Sequence, residues 1–379
     1  MASHQPTKAW EPPAVRRRTD VPSDVSGLRL LAVQGCWREI VERLRSKALS
    51  KLPVEEGLSL SAFYVLALVK LRQYVPAAEV LDAFGDLDAP RFSQAGPDGM
   101  AAGRGSLVPF GLRWLAAELP FRLGRLAASQ DAFYRLSEHC KLQALMCEAR
   151  PAEVATHAGG EEGMEEEAAL GGQDALLPGG AAVPAATWWR RYEAAGLALM
   201  NQHLRAKQHV PALQWLRILE RRRRGEPRVL SMVGYVQMMA GDLVAAEEMF
   251  ARVASQGTPL AETLTGRNRS LLLFARRKFR EAQEDLQAQV QNNPGDSIAA
   301  NNRSISQMYC CELTGGISEL EGQLQARPLD NLSEPLLLTL SLMYELSLAG
   351  AAAEAKRRVS QWASACAPDD FDLTCTRSA

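Results

Sequence analysis

Gly241-Asp242-Leu243-Val244-Ala245-Ala246-Glu247-Glu248-Met249-Phe250 is the stretch that decides how this chain folds. A turn-forming Gly-Asp pair leads into Leu243, Ala246 and Phe250, a phrase in which a small residue sits between two bulky apolar ones at helical spacing. Residues three and four apart share one face of a helix, so the small residue marks where a second helix can approach closely. The phrase returns as Phe279, Ala282 and Leu286, and again as Leu313, Gly316 and Leu320. Ala212 lies 34 residues before Ala246, Ala282 lies 36 after it, Gly316 a further 34, and Ala355 another 39. Pro294 and Pro328, also 34 apart, close two successive units, and the surplus of the last interval is expected between Pro328 and Pro335.

A helix–turn–helix unit recurring at about 34 residues is the tetratricopeptide period. The fold class expected is therefore all-α, a tetratricopeptide-repeat α-solenoid interrupted by long disordered loops. Such stacks expose an extended concave surface, which makes partner binding the first functional expectation. Weaker copies precede the array. Tyr74-Val75-Pro76-Ala77 repeats the phrase around Ala77, and Gly35-Cys36-Trp37-Arg38-Glu39-Ile40 with Leu44 repeats it with Ile40 at the small position. Pro76 and Pro211 fall near the starts of second helices, where a residue without an N–H is tolerated. Apolar residues from Trp114 to Leu136 predict two or three more helices of the same stack, with Pro120 as a break.

These signals divide the chain into a disordered N-terminal segment (1–25), repeat-like helices (26–85), a mobile Gly/Pro-rich loop (86–105), a helical segment of the solenoid (106–150), an acidic Ala/Gly/Glu-rich linker (151–186), the tetratricopeptide array (187–368) and a C-terminal tail (369–379). The linker clusters Glu161, Glu162, Glu165, Glu166 and Glu167 and has little apolar surface to offset the entropy of ordering.

At 379 residues with a net charge of −1, the chain has no global field that would draw it to nucleic acid or acidic lipid. Its 47% apolar content is that of a soluble globular protein, and no run reaches the roughly 18 apolar residues of a membrane span. Met1 to Trp10 is polar, so no secretory signal is expected. The seven cysteines are scattered and form no CxxC pair, as for reduced thiols in a cytosolic chain.

The search for chemistry returns little. His4, His139, His157, His203 and His209 do not share a helix face at ligand spacing, so no metal site is expected. Serine-nucleophile, zinc-protease and phosphate-loop motifs are lacking, so the chain is read as non-enzymatic and without a cofactor. Two groups of polar residues remain as candidates for binding. Arg267, Asn268 and Arg269, with Asn301, Asn302 and Arg303, sit at equivalent first-helix positions of successive units and could line the concave face. Arg221, Arg222, Arg223 and Arg224 follow the helix Ala212–Glu220, where cations favour the helix macrodipole and could meet an acidic partner. No aromatics interleave with this run, which argues against a single-strand nucleic-acid platform. A clamp for a peptide carboxylate is a poor fit. In one register Asn302 fits and the preceding unit offers Arg267, but Leu271 stands where Asn is needed and Leu337 and Ser341 where Lys and Arg are needed; the register one unit earlier supplies Asn268 but fails at Ser231 and Ile298.

The block Trp188-Trp189-Arg190-Arg191-Tyr192, the repeats from Ala212 to Val359 and the stretch Gly27–Arg38 together resemble the trafficking protein particle (TRAPP) complex subunit 12 family, also called tetratricopeptide repeat protein 15. The resemblance covers roughly residues 15 to 379. It departs at the start, where that family carries a long low-complexity region, so a shorter form or fragment is expected. The resemblance implies a non-catalytic scaffold or adaptor subunit of the TRAPP III vesicle-tethering complex, in ER-to-Golgi transport and autophagy. It implies other TRAPP core and TRAPP III-specific subunits as partners and no nucleic acid. It also implies a cytoplasmic location, peripheral at ER–Golgi intermediate compartment and Golgi membranes only through the complex. The alternative is a peptide-binding cochaperone or cargo adaptor independent of that complex.

Overall fold

The computed structural model describes residues 10, 21–22, 24–45, 47, 52–93, 106–149, 183–347 and 350–376. Among these the fold is all-α, with one isolated antiparallel bridge between Ser93 and Ser106. The helices come as eight helix–turn–helix pairs: α1 Val25–Val33 with α2 Trp37–Arg45, α3 Val54–Lys70 with α4 Tyr74–Phe84, α5 Phe110–Arg122 with α6 Leu126–Glu148, and α7 Ala185–Arg205 with α8 His209–Arg222. They continue as α9 Pro227–Met239 with α10 Leu243–Ala254, α11 Pro259–Ala275 with α12 Phe279–Asn292, α13 Ser297–Tyr309 with α14 Leu313–Ala326, and, after the single turn α15 Pro328–Asn331, α16 Glu334–Ser347 with α17 Ala352–Cys366. This is the tetratricopeptide-type repeat that the spacing predicts. The surplus between Gly316 and Ala355 is taken up largely by α15, whose Asn331 is buried and donates to the Gln323 carbonyl at 2.7 Å.

One turn recurs in the first seven pairs. The residue after each first helix's C-cap takes a left-handed φ: Gly35, Arg72, Gly124, Lys207, Gly241, Arg277 and Cys311. Its N–H closes on the carbonyl three residues back, and the next N–H closes on the carbonyl five back, as in Cys36 to Leu31 (2.9 Å), Gln208 to His203 (2.8 Å) and Glu312 to Gln307 (2.8 Å). These Schellman closures satisfy the free carbonyls of the helix end and aim the second helix back along the first. Glycine adopts this conformation freely, whereas Arg72, Lys207, Arg277 and Cys311 hold it against a steric cost of about 1 kcal/mol each.

The small anchors sit where the helices meet. Ala77, Ala212, Ala246 and Ala282 are fully buried. The α5–α6 pair has an anchor that a search for Ala or Gly passes over: Leu126, Ser129 and Phe133 repeat the phrase, and Ser129 is fully buried. Its hydroxyl donates to the Ala117 carbonyl at 2.6 Å and accepts from Gln202 Nε2 at 2.9 Å, which is why a polar residue is tolerated there. Glycine serves the same purpose on the first helices. A Cβ at Gly234 would meet the Phe250 ring at 2.4 Å, and one at Gly196 would meet the Trp215 ring at 2.8 Å.

Several details correct the sequence expectations. Pro120 does not break α5, which runs through it to Arg122; it removes one donor, the one that would reach the Ala116 carbonyl, only two residues before the helix ends. α8 extends to Arg222, so the first two residues of the basic run are helical. Trp10, in the segment expected to be disordered, packs against Trp362 with ring centroids 4.9 Å apart. Val21 packs against the first core cluster, and Arg43 holds the Pro22 carbonyl at 3.0 Å. Of the loop expected over 86–105, residues 86–93 are described. There a short turn buries Phe92, and Arg113 ties Asp88 at 2.6 Å and the Leu87 carbonyl at 3.1 Å. Residues 94–105 and most of the acidic linker, 151–182, lie outside the described residues.

The chain divides into two compact units, Arg18–Leu219 and Met1–Arg17 with Glu220–Ala379, the division falling inside α8. In the first, Leu28, Ile40, Phe63, Leu66, Leu112 and Leu115 belong to one continuous apolar cluster. Each such side chain contributes about 1.5–3 kcal/mol when fully buried. The second unit has a small cluster of Ala246, Phe250 and Leu272, and a larger one across α14 and the last pair that includes Leu320, Leu340, Tyr344 and Trp362. No described helix is long and apolar enough to cross a membrane.

Candidate functional site

The six polar residues proposed for a concave face lie on α11 and α13, and the structure engages most of them within the protein. Arg267 pairs with Asp296, the N-cap of α13, at 2.9 Å. Arg269 pairs with Asp285 of α12, which also accepts from Ser270 Oγ at 2.9 Å and Gln289 Nε2 at 3.0 Å. Arg303 pairs with Glu319 of α14 at 2.9 Å. Burial pushes the Glu319 carboxyl up, and the Arg303 guanidinium opposes that rise. Asn268 is only 3% exposed and accepts from Ser231 Oγ of α9 at 2.7 Å, so it joins two first helices instead of facing outward. Asn301 and Asn302 are half-buried on α13.

These contacts form a polar seam through α9–α14. Its cations already face anions, so they hold adjacent pairs in register more than they offer free charge. Partly exposed pairs of this kind are worth on the order of 0–1 kcal/mol each. Several buried atoms of the seam, among them Asn268 Nδ2, Asn301 Oδ1, Arg267 Nε and Arg303 Nε, have no hydrogen-bond partner among the described residues. Arg267 and Arg303 keep 30% and 22% of their side chains exposed, and Arg269 keeps 68%, so Arg269 is the most accessible of the six.

The basic run divides by position. Arg221 and Arg222 end α8, while Arg223 and Arg224 lie in the turn before α9. Arg221, Arg222 and Arg224 are exposed and Arg223 is half-buried. Arg221 and Arg222 therefore sit in the last turn of a helix, where its dipole favours cations.

His139 and His203 are packing residues. His203 is 5% exposed; its Nδ1 lies 2.7 Å from Gln208 Oε1 and its Nε2 lies 3.2 Å from the Tyr134 hydroxyl. His139 stacks edge-on against Trp188, and burial followed by the charge of Arg113 pulls its pKa down. Arg191 lies over both the Phe110 and Trp188 rings at 4.6 Å. Cys140, buried beside this group, has its thiol pushed up to about 12 by burial, so it is an unreactive core thiol. None of the seven cysteines is joined in a disulfide. Among the described residues no group of three or more His, Cys, Asp or Glu side chains could hold a metal ion.

Sequence reading missed one concavity. A cleft of about 300 Å³ opens between α2, α3 and α4, with Val41, Leu68 and Leu71 among its apolar walls and Arg38, Glu42 and Arg45 among its polar ones. Its lining comes from three helices and no motif, so spacing along the chain could not reveal it.

No family model matches the chain. Among curated proteins it is similar to trafficking protein particle complex subunit 12 of Mus musculus, 26% identical over 359 residues, covering 92% of this chain and 43% of that protein. The Homo sapiens protein of the same name is 26% identical over 320 residues, covering 82% of this chain and 41% of the relative. Among solved structures, the APC/C hetero-tetramer Cut9-Hcn1 overlays 90% of this chain and 65% of that chain at 12% identity, with a TM-score of 0.36. The chain is thus similar to trafficking protein particle complex subunit 12 along most of its own length, while it spans less than half the length of those relatives.

Proposed function

We propose that this chain is a non-catalytic subunit of a TRAPP vesicle-tethering complex, acting as a scaffold or adaptor that binds other TRAPP subunits through the faces of its helix pairs. The observation that carries this reading is the similarity to trafficking protein particle complex subunit 12 over 92% of the chain. The architecture is consistent with it, since stacked helix pairs offer broad surfaces suited to protein partners. The finer assignment is the TRAPP III form of the complex, in ER-to-Golgi transport and autophagy. Membrane association would then be peripheral, at the ER–Golgi intermediate compartment and Golgi, and only through the complex. The most accessible contacts in this reading are Arg269 and the exposed arginines Arg221 and Arg224.

The competing cochaperone reading requires free cations for a peptide carboxylate, and Arg267 and Arg303 are already paired with Asp296 and Glu319. The test is a tagged pull-down of the full chain from cytosol, with mass spectrometry and gel filtration of the eluate. Co-elution with TRAPP core subunits in one large particle is the expected result. A monomer recovered with chaperones alone would overturn the proposal.

A further inference from the structure

We propose that the last helix pair carries an acceptor site for a tryptophan-anchored peptide, and that Trp10 of this chain fills the site in cis. Trp10 and Trp362 lie at opposite ends of the sequence, yet their rings are 4.9 Å apart and tilted by 58°. Tilted, offset rings at this separation are the arrangement that aromatic quadrupoles favour. Trp362 projects from α17 and is 3% exposed, so it forms the floor of the site and not a loose surface ring. Trp10 packs against the cluster that contains Trp362, Val359 and Cys366, and Phe371 and Leu373 of the C-terminal turn pack against the same cluster. An aromatic, thiol and aliphatic surface of this kind suits a large flat apolar side chain.

The ligand class is therefore a peptide that presents a tryptophan side chain. A single half-buried anchor binds weakly in trans, but a tether raises its effective concentration toward the millimolar range, so a cis ligand occupies the site and remains exchangeable. A partner bearing the same anchor would displace Trp10, and this holds whether or not that partner belongs to a tethering complex.

The test is a fluorescence-anisotropy titration of a labelled synthetic peptide spanning residues 4–17, alongside a twin in which its tryptophan is alanine. Both are titrated with the full wild-type chain, the Trp10→Ala chain and a Trp10→Ala chain that also carries Trp362→Ala. The peptide should bind the Trp10→Ala chain at least tenfold more tightly than wild type. Binding should be lost with the twin peptide and with the doubly substituted chain. Equal binding to wild type and Trp10→Ala, equal binding of the two peptides, or no binding to a Trp10→Ala chain with a wild-type circular-dichroism melt would each overturn the proposal. If Trp10→Ala lowers the folded fraction, excess peptide is added to the wild-type chain labelled with fluorotryptophan. Displacement must then shift the Trp10 resonance, and an unmoved resonance refutes the exchange.

Discussion

The N-terminal helices and the α9–α14 array use the same turn and the same pairing of helices, yet they are held together differently. Around α1–α5 the interior is one apolar cluster in which Phe63, Leu112, Leu115 and Ile40 are almost fully excluded from solvent. In α9–α14 the apolar contacts shrink to groups such as Ala246, Phe250 and Leu272, and a polar seam of Ser231–Asn268, Arg267–Asp296, Ser270–Asp285–Gln289 and Arg303–Glu319 runs between the helices. Apolar burial is strong but not directional, whereas hydrogen bonds and ion pairs fix which residue meets which. The first region should therefore be the more sensitive to cavities, and the second the more sensitive to register.

The largest expected effect tests the apolar side. Phe63→Ala should cost about 3–5 kcal/mol, through lost burial and the cavity left behind. Native-state hydrogen exchange, which reports local opening, should place the loss in α2–α5. Equal loss of protection in α9–α14 would contradict the separation of the two regions.

Close approach is the next lever. Gly234→Ala drives a Cβ into the Phe250 ring and should cost about 1–3 kcal/mol, because a ring packed between helices has little room to yield. A companion change, Gly322→Ala, has open space around its Cβ and should be neutral or slightly stabilising. Urea denaturation of the two variants distinguishes packing from a general effect of glycine replacement.

The seam should show its character in pairs. Asn268→Leu alone leaves the Ser231 hydroxyl without its acceptor and should cost about 1–3 kcal/mol. Adding Ser231→Ala should recover much of that, because removing both partners leaves no unpaired polar group. A double-mutant cycle with no coupling would show that the contact specifies nothing.

Two smaller effects sharpen the comparison. Arg72→Gly and Arg277→Gly, one in each region, should each stabilise by about 0.5–1 kcal/mol by relieving the left-handed backbone, measurable as a raised melting temperature. The first unit should also lose stability in mild acid. The folded pKa of His139 is depressed by burial, so as pH falls below about 6.5 the unfolded chain takes up a proton that the folded chain refuses. The loss is bounded by about 1.4 kcal/mol per pH unit, and His139→Gln should flatten a plot of stability against pH between 7 and 5.

Much of the fold was legible from residues a few places apart. The anchors Ala212, Ala246, Ala282 and Gly316 located the second helices of the array because a small residue at helical spacing reports a close helix contact. The α5–α6 pair was harder to read, since its anchor is Ser129 and its acceptability depends on the Ala117 carbonyl and Gln202. The candidate site was the least legible. Arg267, Asn268, Arg269 and Arg303 were correctly placed on first helices, but their partners lie on other helices, which composition and period do not pair.

Sequence by itself determined the helical class, the period, the turns and the residues that let helices touch, because each depends on local backbone preference and on the face a side chain occupies. Only the tertiary structure decided which polar groups are spent on one another, where the three-helix cleft opens, and that Trp10 meets Trp362. Those outcomes turn on contacts between residues tens to hundreds of positions apart, and their energies exist only once the helices have packed.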